Sequence, residues 1–330
     1  MKHTLEQIAL GDDLTREQAS VIMSEIMEGV FSDIEIGGFL MALKTKGEKA
    51  PELAGFADAL RSKCVRLDID VTDAVDCCGT GGEGSGSFNI STAAAIVAAS
   101  AGARIAKHGN RSVSSRCGSA DLLERAGIDI DPGPDRVKQD YDELGLCFMF
   151  APRFHPAFKH AAAARQALSV RTVFNMLGPL VNPAHVRRQL LGVYSRDVME
   201  LFAEALIALG CDRALVVHSH DGLDEISAQA PTDCIEVSDG KMTRSVIDPE
   251  ESGVTAMTCP DKAGGPDENN SILQSLLAGE KVGSRSAVII NSAAILYVAG
   301  CAASISEGSR KAAQALDSGA ARDLLERWKR

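Results

Sequence analysis

Aromatic residues are scarce: phenylalanine, tyrosine and tryptophan make up 4% of the 330 residues, with a single tryptophan. A core must therefore be assembled from alanine, leucine, isoleucine and valine. Cysteine pairing is missing as well. Nine cysteines are present, yet no Cys-x-x-Cys occurs, and Cys77 and Cys78 are adjacent. Neither a disulfide framework nor a thiolate metal site is spelled out, and reduced thiols in a cytoplasmic protein are expected. Positive charge is not in excess. A formal net charge of −11 works against nucleic acid and anionic membrane as partners. The opening residues, "MKHTLEQIALGDDLT", are too polar for a secretory signal. The longest apolar stretch, Ala287 to Ala303, is broken by Asn291, Ser292 and Gly300, so a buried helix is expected there rather than a membrane span. There is no low-complexity segment and no repeat of fixed period.

What is present suits a soluble globular chain. Hydrophobic residues reach 45% and charged residues 24%, and the length admits one large domain or a large and a small one. The first sixty-odd residues read as helices. Thr15 with Gln18 forms a capping box before Ala19, Ile22, Met23 and Ile26 at helical spacing. Ser32 with Glu35 repeats the signal, and Pro51 suits the first turn of a third helix. No cluster of reactive side chains appears there. From Leu67 onward short apolar runs alternate with helices. Leu67, Ile69 and Val71 read as a strand, as do "ARIAKH", "QLLGVYS", "RALVVHS" and "DCIEVSD", and the end of the chain is mostly helical. That alternation implies an α/β layer with a largely parallel sheet, whose ligands bind beyond the carboxyl ends of the strands.

Four stretches fall at such places. "CCGTGGEGSGSFNIST", residues 77 to 92, holds five glycines. Bare backbone between a strand and a helix lets a ligand approach closely, and the amides of the helix start favour an anion. Asn89, Ser91 and Thr92 add side-chain donors. The stretch is no P-loop, since no Gly-Lys-Ser/Thr follows, and its glycine spacing is wrong for the dinucleotide fingerprint. The second stretch, "KHGNRSVSSRCGSADLLE", carries Lys107, His108, Arg111 and Arg116, four potentially basic side chains in an acidic protein. It reads as an anion site; the bland reading is a solvated turn. The third, "LVVHSHDGLDEIS", puts Asp221, Asp224 and Glu225 just past a strand end, where they fit Mg²⁺ shared with phosphates. His218 and His220 offer zinc as a rival, though no third ligand is suggested by spacing. The fourth runs from His155 to Pro183 and includes Arg165, Arg171 and Asn175. Arg165 could clamp a carboxylate, although an Arg on an alanine-rich helix is more often a solvated one.

Together, Gly79-Thr-Gly-Gly with "FNIST", "KHGNRSVSS" with "CGSADLLE", "RTVFNMLGPLVNP" and "DGLDE" resemble the anthranilate phosphoribosyltransferase family, in its order and over nearly the whole chain. The resemblance implies a small helical domain over residues 1–66, joined by helices from about 160–185. It implies an α/β domain over 67–330 of the class III phosphoribosyltransferase and nucleoside phosphorylase type, with a central, mostly parallel sheet flanked by helices. It implies transfer of the phosphoribosyl group of 5-phosphoribosyl 1-diphosphate (PRPP) to anthranilate, in tryptophan biosynthesis. PRPP is implied to lie on Gly79, Gly82, Glu83, Ser87, Asn89, Ile90, Ser91 and Thr92, on Lys107, His108, Gly109, Asn110, Arg111, Ser112, Val113, Ser114 and Ser115, and on Ser119. Anthranilate is implied at Gly79, Asn110 and Arg165. Magnesium, two ions per subunit, is implied at Ser91, Asp224 and Glu225. Lys107 is implied to stabilise the leaving group. A cytoplasmic homodimer through the helical domain completes the expectation, with no nucleic acid and no membrane. The family usually has Asp at position 83 and Thr at 87; Glu83 and Ser87 keep the chemistry of each group, and Glu83 adds a methylene inside a tight loop. The alternatives are a relative with the same PRPP site and another acceptor, a non-catalytic nucleic-acid-binding relative, and a zinc hydrolase resting on His218 and His220.

Overall fold

The computed structural model describes residues 1–81, 88–112, 116–255, 261–262 and 264–330. Four helices come first: α1 (Lys2–Ala9), α2 (Arg16–Met27), α3 (Asp33–Lys46) and α4 (Ala50–Ser62). Both capping boxes form, with Thr15 and Gln18 satisfying each other's amides at α2 and Ser32 and Glu35 doing so at α3. Inside this bundle Glu52 is fully buried, accepting from the Leu14 amide at 2.9 Å and pairing with Lys46 at 3.0 Å. A buried carboxylate needs such partners to offset its desolvation.

The rest alternates. In order come β1 (Ala74–Asp76), α5 (Ile90–Ser100), β2 (Arg104–Gly109), α6 (Ser119–Arg125), α7 (Pro134–Leu144), β3 (Leu146–Phe150), α8 (Ala151–Phe154), α9 (Lys159–Leu168) and α10 (Val173–Leu177). Then follow β4 (Arg188–Gly192), α11 (Met199–Ala208), β5 (Arg213–Ser219), β6 (Thr232–Ser238), β7 (Lys241–Ile247), α12 (Pro266–Leu277), α13 (Arg285–Ala299), α14 (Ile305–Asp317) and α15 (Ala320–Trp328). The described strands form one sheet in the order β3-β2-β1-β4-β5-β6-β7. β3 through β5 in that order are parallel, while β6 and β7 are antiparallel.

Alternate side chains of the central strands enter different cores. Leu190, Leu215 and Val217 face the cluster built on α5, α13 and α15. Leu191, Ala214 and Val216 face the cluster that holds α11 and the N-terminal helices. This two-sided burial is why the strands read as continuous apolar runs. Within the second cluster α9 packs on α2 and α3, and α10 on α3 and α4. α13 is buried along nearly its whole length, and among the described residues no helix is long and apolar enough to cross a membrane.

Two readings of the chain need correction. Leu67, Ile69 and Val71 are not a strand. They run beside the sheet, where Leu67 joins Tyr141, Cys147 and Phe154 in a third apolar cluster, and the strand proper is the three-residue β1. Alternation there reflects one-sided burial without a ladder partner. β7 was not expected. It is the sheet edge, exposed at every position but Ile247, and polar enough to carry no strand pattern.

Candidate active site

The order of the strands sets the location. From β1 the chain proceeds to β2 and β3 on one side, and β4 and β5 lie on the other. The β1–β4 boundary is therefore a topological switch point, and the crevice outside the carboxyl ends there is the place for a ligand. The segments that leave β1, β2, β3 and β5 hold the four sequence motifs, and the exit of β4 lies between those of β1 and β5.

The first loop is fastened to the β4 exit. The Thr80 amide donates to the Gly192 carbonyl at 2.9 Å, and the Thr80 hydroxyl accepts from the Tyr194 amide at 3.0 Å. A Cβ on Gly79 would stand 3.0 Å from the Gly192 oxygen and 3.5 Å from Asp224 Oδ2; one on Gly192 would drive into the Asp224 carbonyl. Only glycine permits this backbone-to-backbone packing, and it sets the Asp224 carboxylate against the Gly79 loop. Gly82, Glu83 and Ser87 lie outside the described residues. Where description resumes, the Asn89 amide donates to Asn269 Oδ1 at 3.0 Å and its side chain to the Cys117 carbonyl at 3.3 Å, which ties the first loop to the second. Ile90 points into the core, so only its backbone can face a ligand. Ser91 is half-buried in the first turn of α5, and the Thr92 hydroxyl beside it is buried without a partner.

The second loop begins with Lys107, whose side chain is buried and donates to the Cys77 carbonyl at 3.1 Å. Burial opposes the ammonium, but the neighbouring Cys77 and Cys78 sulfurs and the Asp76 and Glu225 carboxylates outweigh it and hold its pKa above the ordinary lysine value; at neutral pH the carboxylates carry the negative charge. Burial pushes the Cys77 thiol up to about 11 and the Cys78 thiol higher still, so neither is a nucleophile at neutral pH. Two members of the basic cluster bring less free charge than their residue types suggest. His108 is no cation: burial, then His155, depresses it to about 3. Arg111 is already committed to Asp121 at 2.9 Å and Glu124 at 2.7 Å. Arg116 is exposed. Of Lys107, His108, Arg111 and Arg116, Lys107 is the buried cation. Gly109 ends β2 against the Phe148 ring, Asn110 follows with its Oδ1 accepting from the Arg111 amide at 2.8 Å, and Ser119 opens α6. The Asp121 carboxylate gathers the loop by accepting from the Ser112 amide at 3.0 Å and the Gly118 amide at 2.9 Å. Val113, Ser114 and Ser115 lie outside the described residues.

Arg165 lies on α9, half-buried, with its guanidinium 5.1 Å from the centre of the Phe174 ring. Its helix is not its only surrounding, as the sequence suggested. Phe174 meets Phe158, Phe158 meets His155, and His155 meets His108, with ring centres 5.7, 5.5 and 5.2 Å apart. This chain of rings connects Arg165 to the residue next to Lys107. Burial lowers the Arg165 pKa. A guanidinium over an aromatic wall, open to an anion, can receive an aromatic acid.

Asp224 is buried and Glu225 half-buried on the loop after β5, and their charges reach Cys78 and Lys107 respectively. With Ser91 they offer oxygen donors alone, which fits a hard cation such as Mg²⁺. Among the described residues no group of three or more His, Cys, Asp or Glu could hold a metal without help. Phosphate oxygens would have to complete the shell. The zinc reading fares worse: His218 bonds the Val193 carbonyl at 2.8 Å and His220 pairs with Asp233 at 3.2 Å. Asp221 accepts from the Ser227 hydroxyl at 2.6 Å.

Three site residues were not singled out from sequence: Asp76, His155 and Asn182. Their signal was weak, a lone carboxylate ending an apolar strand and two polar residues beside prolines. His155 resembles His108, held near 4 by burial, and neither Nε2 has a partner. Both imidazoles stay neutral in the fold while the unfolded chain would protonate near 6.5. Their contribution to stability is thus full above 6.5 and is lost as pH falls toward 4 and 3. Asp76, raised by burial to about 6, opposes this between 6 and the ordinary 3.8. Two groups outweigh one, so the melting temperature should fall from pH 7 to pH 4.5. His108→Asn should flatten that fall in thermal melts; an unchanged slope would remove His108 from the account.

Residues 71–322 match the model of the glycosyl transferase family, a/b domain, and residues 2–64 that of its helical bundle domain. An anthranilate phosphoribosyltransferase of Alkaliphilus metalliredigens is 45% identical over 98% of this chain and 96% of that relative. Among solved structures, the anthranilate phosphoribosyltransferase of Thermus thermophilus superimposes with a TM-score of 0.92 at 42% identity, covering 99% of this chain and 98% of that one. The Saccharomyces cerevisiae enzyme in complex with PRPP and Mg does so with a TM-score of 0.84 at 28% identity, covering 95% and 91%.

Proposed function

The chain belongs to the anthranilate phosphoribosyltransferase family, and from that premise we propose that it transfers the phosphoribosyl group of PRPP to the amino group of anthranilate, releasing pyrophosphate. The observation that carries this reading is the crevice at the β1–β4 boundary. A buried Lys107 and the Asp224 carboxylate flank the Gly79 loop there, and a ring-lined path leads to Arg165. Mixing the protein with PRPP, Mg²⁺ and anthranilate should give N-(5-phosphoribosyl)anthranilate by mass spectrometry; pyrophosphate release that ignores anthranilate would favour a different acceptor.

The amine lone pair forms the new bond to C1 of the ribose, the bond from C1 to the pyrophosphate oxygen breaks with its electron pair, and the nitrogen then releases one proton to the departing pyrophosphate or to water. Attack from the opposite face inverts that carbon. An aromatic amine has a free lone pair at neutral pH, so no strong base is needed, in keeping with the unreactive thiols and neutral histidines beside it. The Lys107 ammonium meets charge as it gathers on the departing pyrophosphate. Arg165 holds the acceptor carboxylate and thereby aims the amine. Asp224, Glu225 and Ser91 would hold magnesium, whose chemistry is to neutralise phosphate oxygens. The remaining PRPP contacts are assigned to Gly79, Gly82, Glu83, Ser87, positions 89–92, positions 107–115 and Ser119, and the remaining anthranilate contacts to Gly79 and Asn110. The reading includes two magnesium ions per subunit and a cytoplasmic location. It divides the chain into a helical domain over 1–66, with helices of 160–185, and a catalytic domain over 67–330. It also includes a homodimer through the helical domain, supported by Leu10 and Ile34, which stand 81% and 87% exposed on the outside of α1–α3.

Asp224→Asn with Glu225→Gln should weaken the response of turnover to magnesium at least tenfold, the scale for losing a charged ligand contact, with circular dichroism unchanged. An unaltered magnesium titration would remove these carboxylates from the metal.

A further inference from the structure

Asp76 and Asn182 have no part in the chemistry just described, yet they are among the most completely enclosed polar residues of the chain. Asp76 is 0% and Asn182 2% exposed. Asp76 ends β1. Its Oδ1 accepts from the His108 amide at 3.2 Å, and its Oδ2 accepts from Asn182 Nδ2 at 2.8 Å. The same Nδ2 donates its second hydrogen to the Ala106 carbonyl at 2.9 Å, and Asn182 Oδ1 accepts from the Ala184 amide at 2.9 Å. Both Asn182 Nδ2 hydrogens are thus used, and its oxygen accepts as well. Two further bonds run alongside: His108 Nδ1 donates to the Gly178 carbonyl at 3.1 Å, and Gln189 Nε2 to the Pro179 carbonyl at 2.8 Å.

These contacts join two walls of the crevice. One is the end of β2, which carries Lys107 and His108. The other is the segment after α10, continuous with Phe174 and so with the ring that Arg165 covers. A valine at 76 and any turn residue at 182 would cost the core less than a buried carboxylate and amide. We propose that Asp76 and Asn182 form a positioning pair that holds the pyrophosphate side of the site, through Lys107 and His108, in register with the acceptor side, through the 178–184 segment. Lys107 is also the cation whose field acts on Asp76, so the carboxylate balances the ammonium before any substrate arrives. This inference rests on the transferase reading above.

The test is a reciprocal exchange in the full-length protein. Asp76→Asn and Asn182→Asp each put like groups face to face. In the double variant, the amide at 76 donates to the carboxylate at 182, and the bonds to the His108 and Ala184 amides are kept; the Ala106 carbonyl loses its donor and faces a carboxylate oxygen, so the rescue is partial. Each single variant should lose about 100-fold in kcat, the scale for a displacement of about 1 Å at reacting groups, with both KM values within about threefold. The double variant should regain at least about tenfold over the worse single. Singles with wild-type kcat, or a folded double no better than the worse single, would overturn the proposal. If the singles fail to fold, a folded double within about tenfold of wild type supports it, and a folded double below that overturns it. If a single folds and the double does not, or if none of the three folds, the pair is a folding element and the proposal fails. The wild type assayed alongside separates the two levels: no PRPP-dependent loss of anthranilate in it defeats the transferase reading, whereas an active wild type with unaffected variants defeats only the pair.

Discussion

Lys107→Ala should lower turnover about 100- to 1000-fold, the effect of removing one preorganised donor aimed at developing charge. The ammonium is buried, bonded to the Cys77 carbonyl, and held above its ordinary pKa by the surrounding negative groups. It is therefore fully charged at neutral pH and is already in place when the pyrophosphate takes up its electron pair. PRPP affinity should fall with turnover, and anthranilate affinity should not, since only one substrate brings concentrated negative charge. Lys107→Met, which keeps the length of the side chain and loses the charge, should show the same kinetic loss. Calorimetry with each substrate and steady-state rates decide the matter. Full activity in either variant would make the second loop a mere turn, because Arg111 is neutralised by Asp121 and Glu124 and His108 is uncharged.

Arg165→Ala should raise the anthranilate KM about 10- to 100-fold and leave the PRPP KM within a few-fold, the range for losing a hydrogen-bonded charged partner. The melting temperature should hold nearly constant. The guanidinium is partly desolvated, and it lies over the face of the Phe174 ring. Aniline has the amine and the ring without the carboxylate, so the unmodified protein should use it poorly. Equal use of aniline and anthranilate would mean that the carboxylate is not read, and the acceptor half of the account would fail while the PRPP half stood.

The helices of the N-terminal bundle were legible because capping is local: Thr15 acts with Gln18, and Ser32 with Glu35, each pair a single turn apart. The parallel strands were legible because both of their faces are buried, as at Leu190 and Leu191. The 67–71 alternation misled because one-sided packing gives period two with or without a strand partner, and β7 was hidden because an exposed edge asks little of its side chains. At the site, the glycine loops and the Asp224–Glu225 pair announced themselves in sequence. The charge states did not. Whether a histidine or an arginine in a basic motif carries usable charge depends on burial and on partners such as Glu124, thirteen positions on from Arg111. Asp76 and Asn182 meet across 106 positions, a separation that no local pattern reports.

The central claim is that one crevice joins PRPP to anthranilate. Anthranilate is fluorescent, and bonding its amine to ribose alters that signal. The purified protein with PRPP, Mg²⁺ and anthranilate should quench it with time, and leaving out PRPP, metal or protein should each abolish the change. A signal that stays constant with every component present, or one that decays equally without PRPP, would contradict the account.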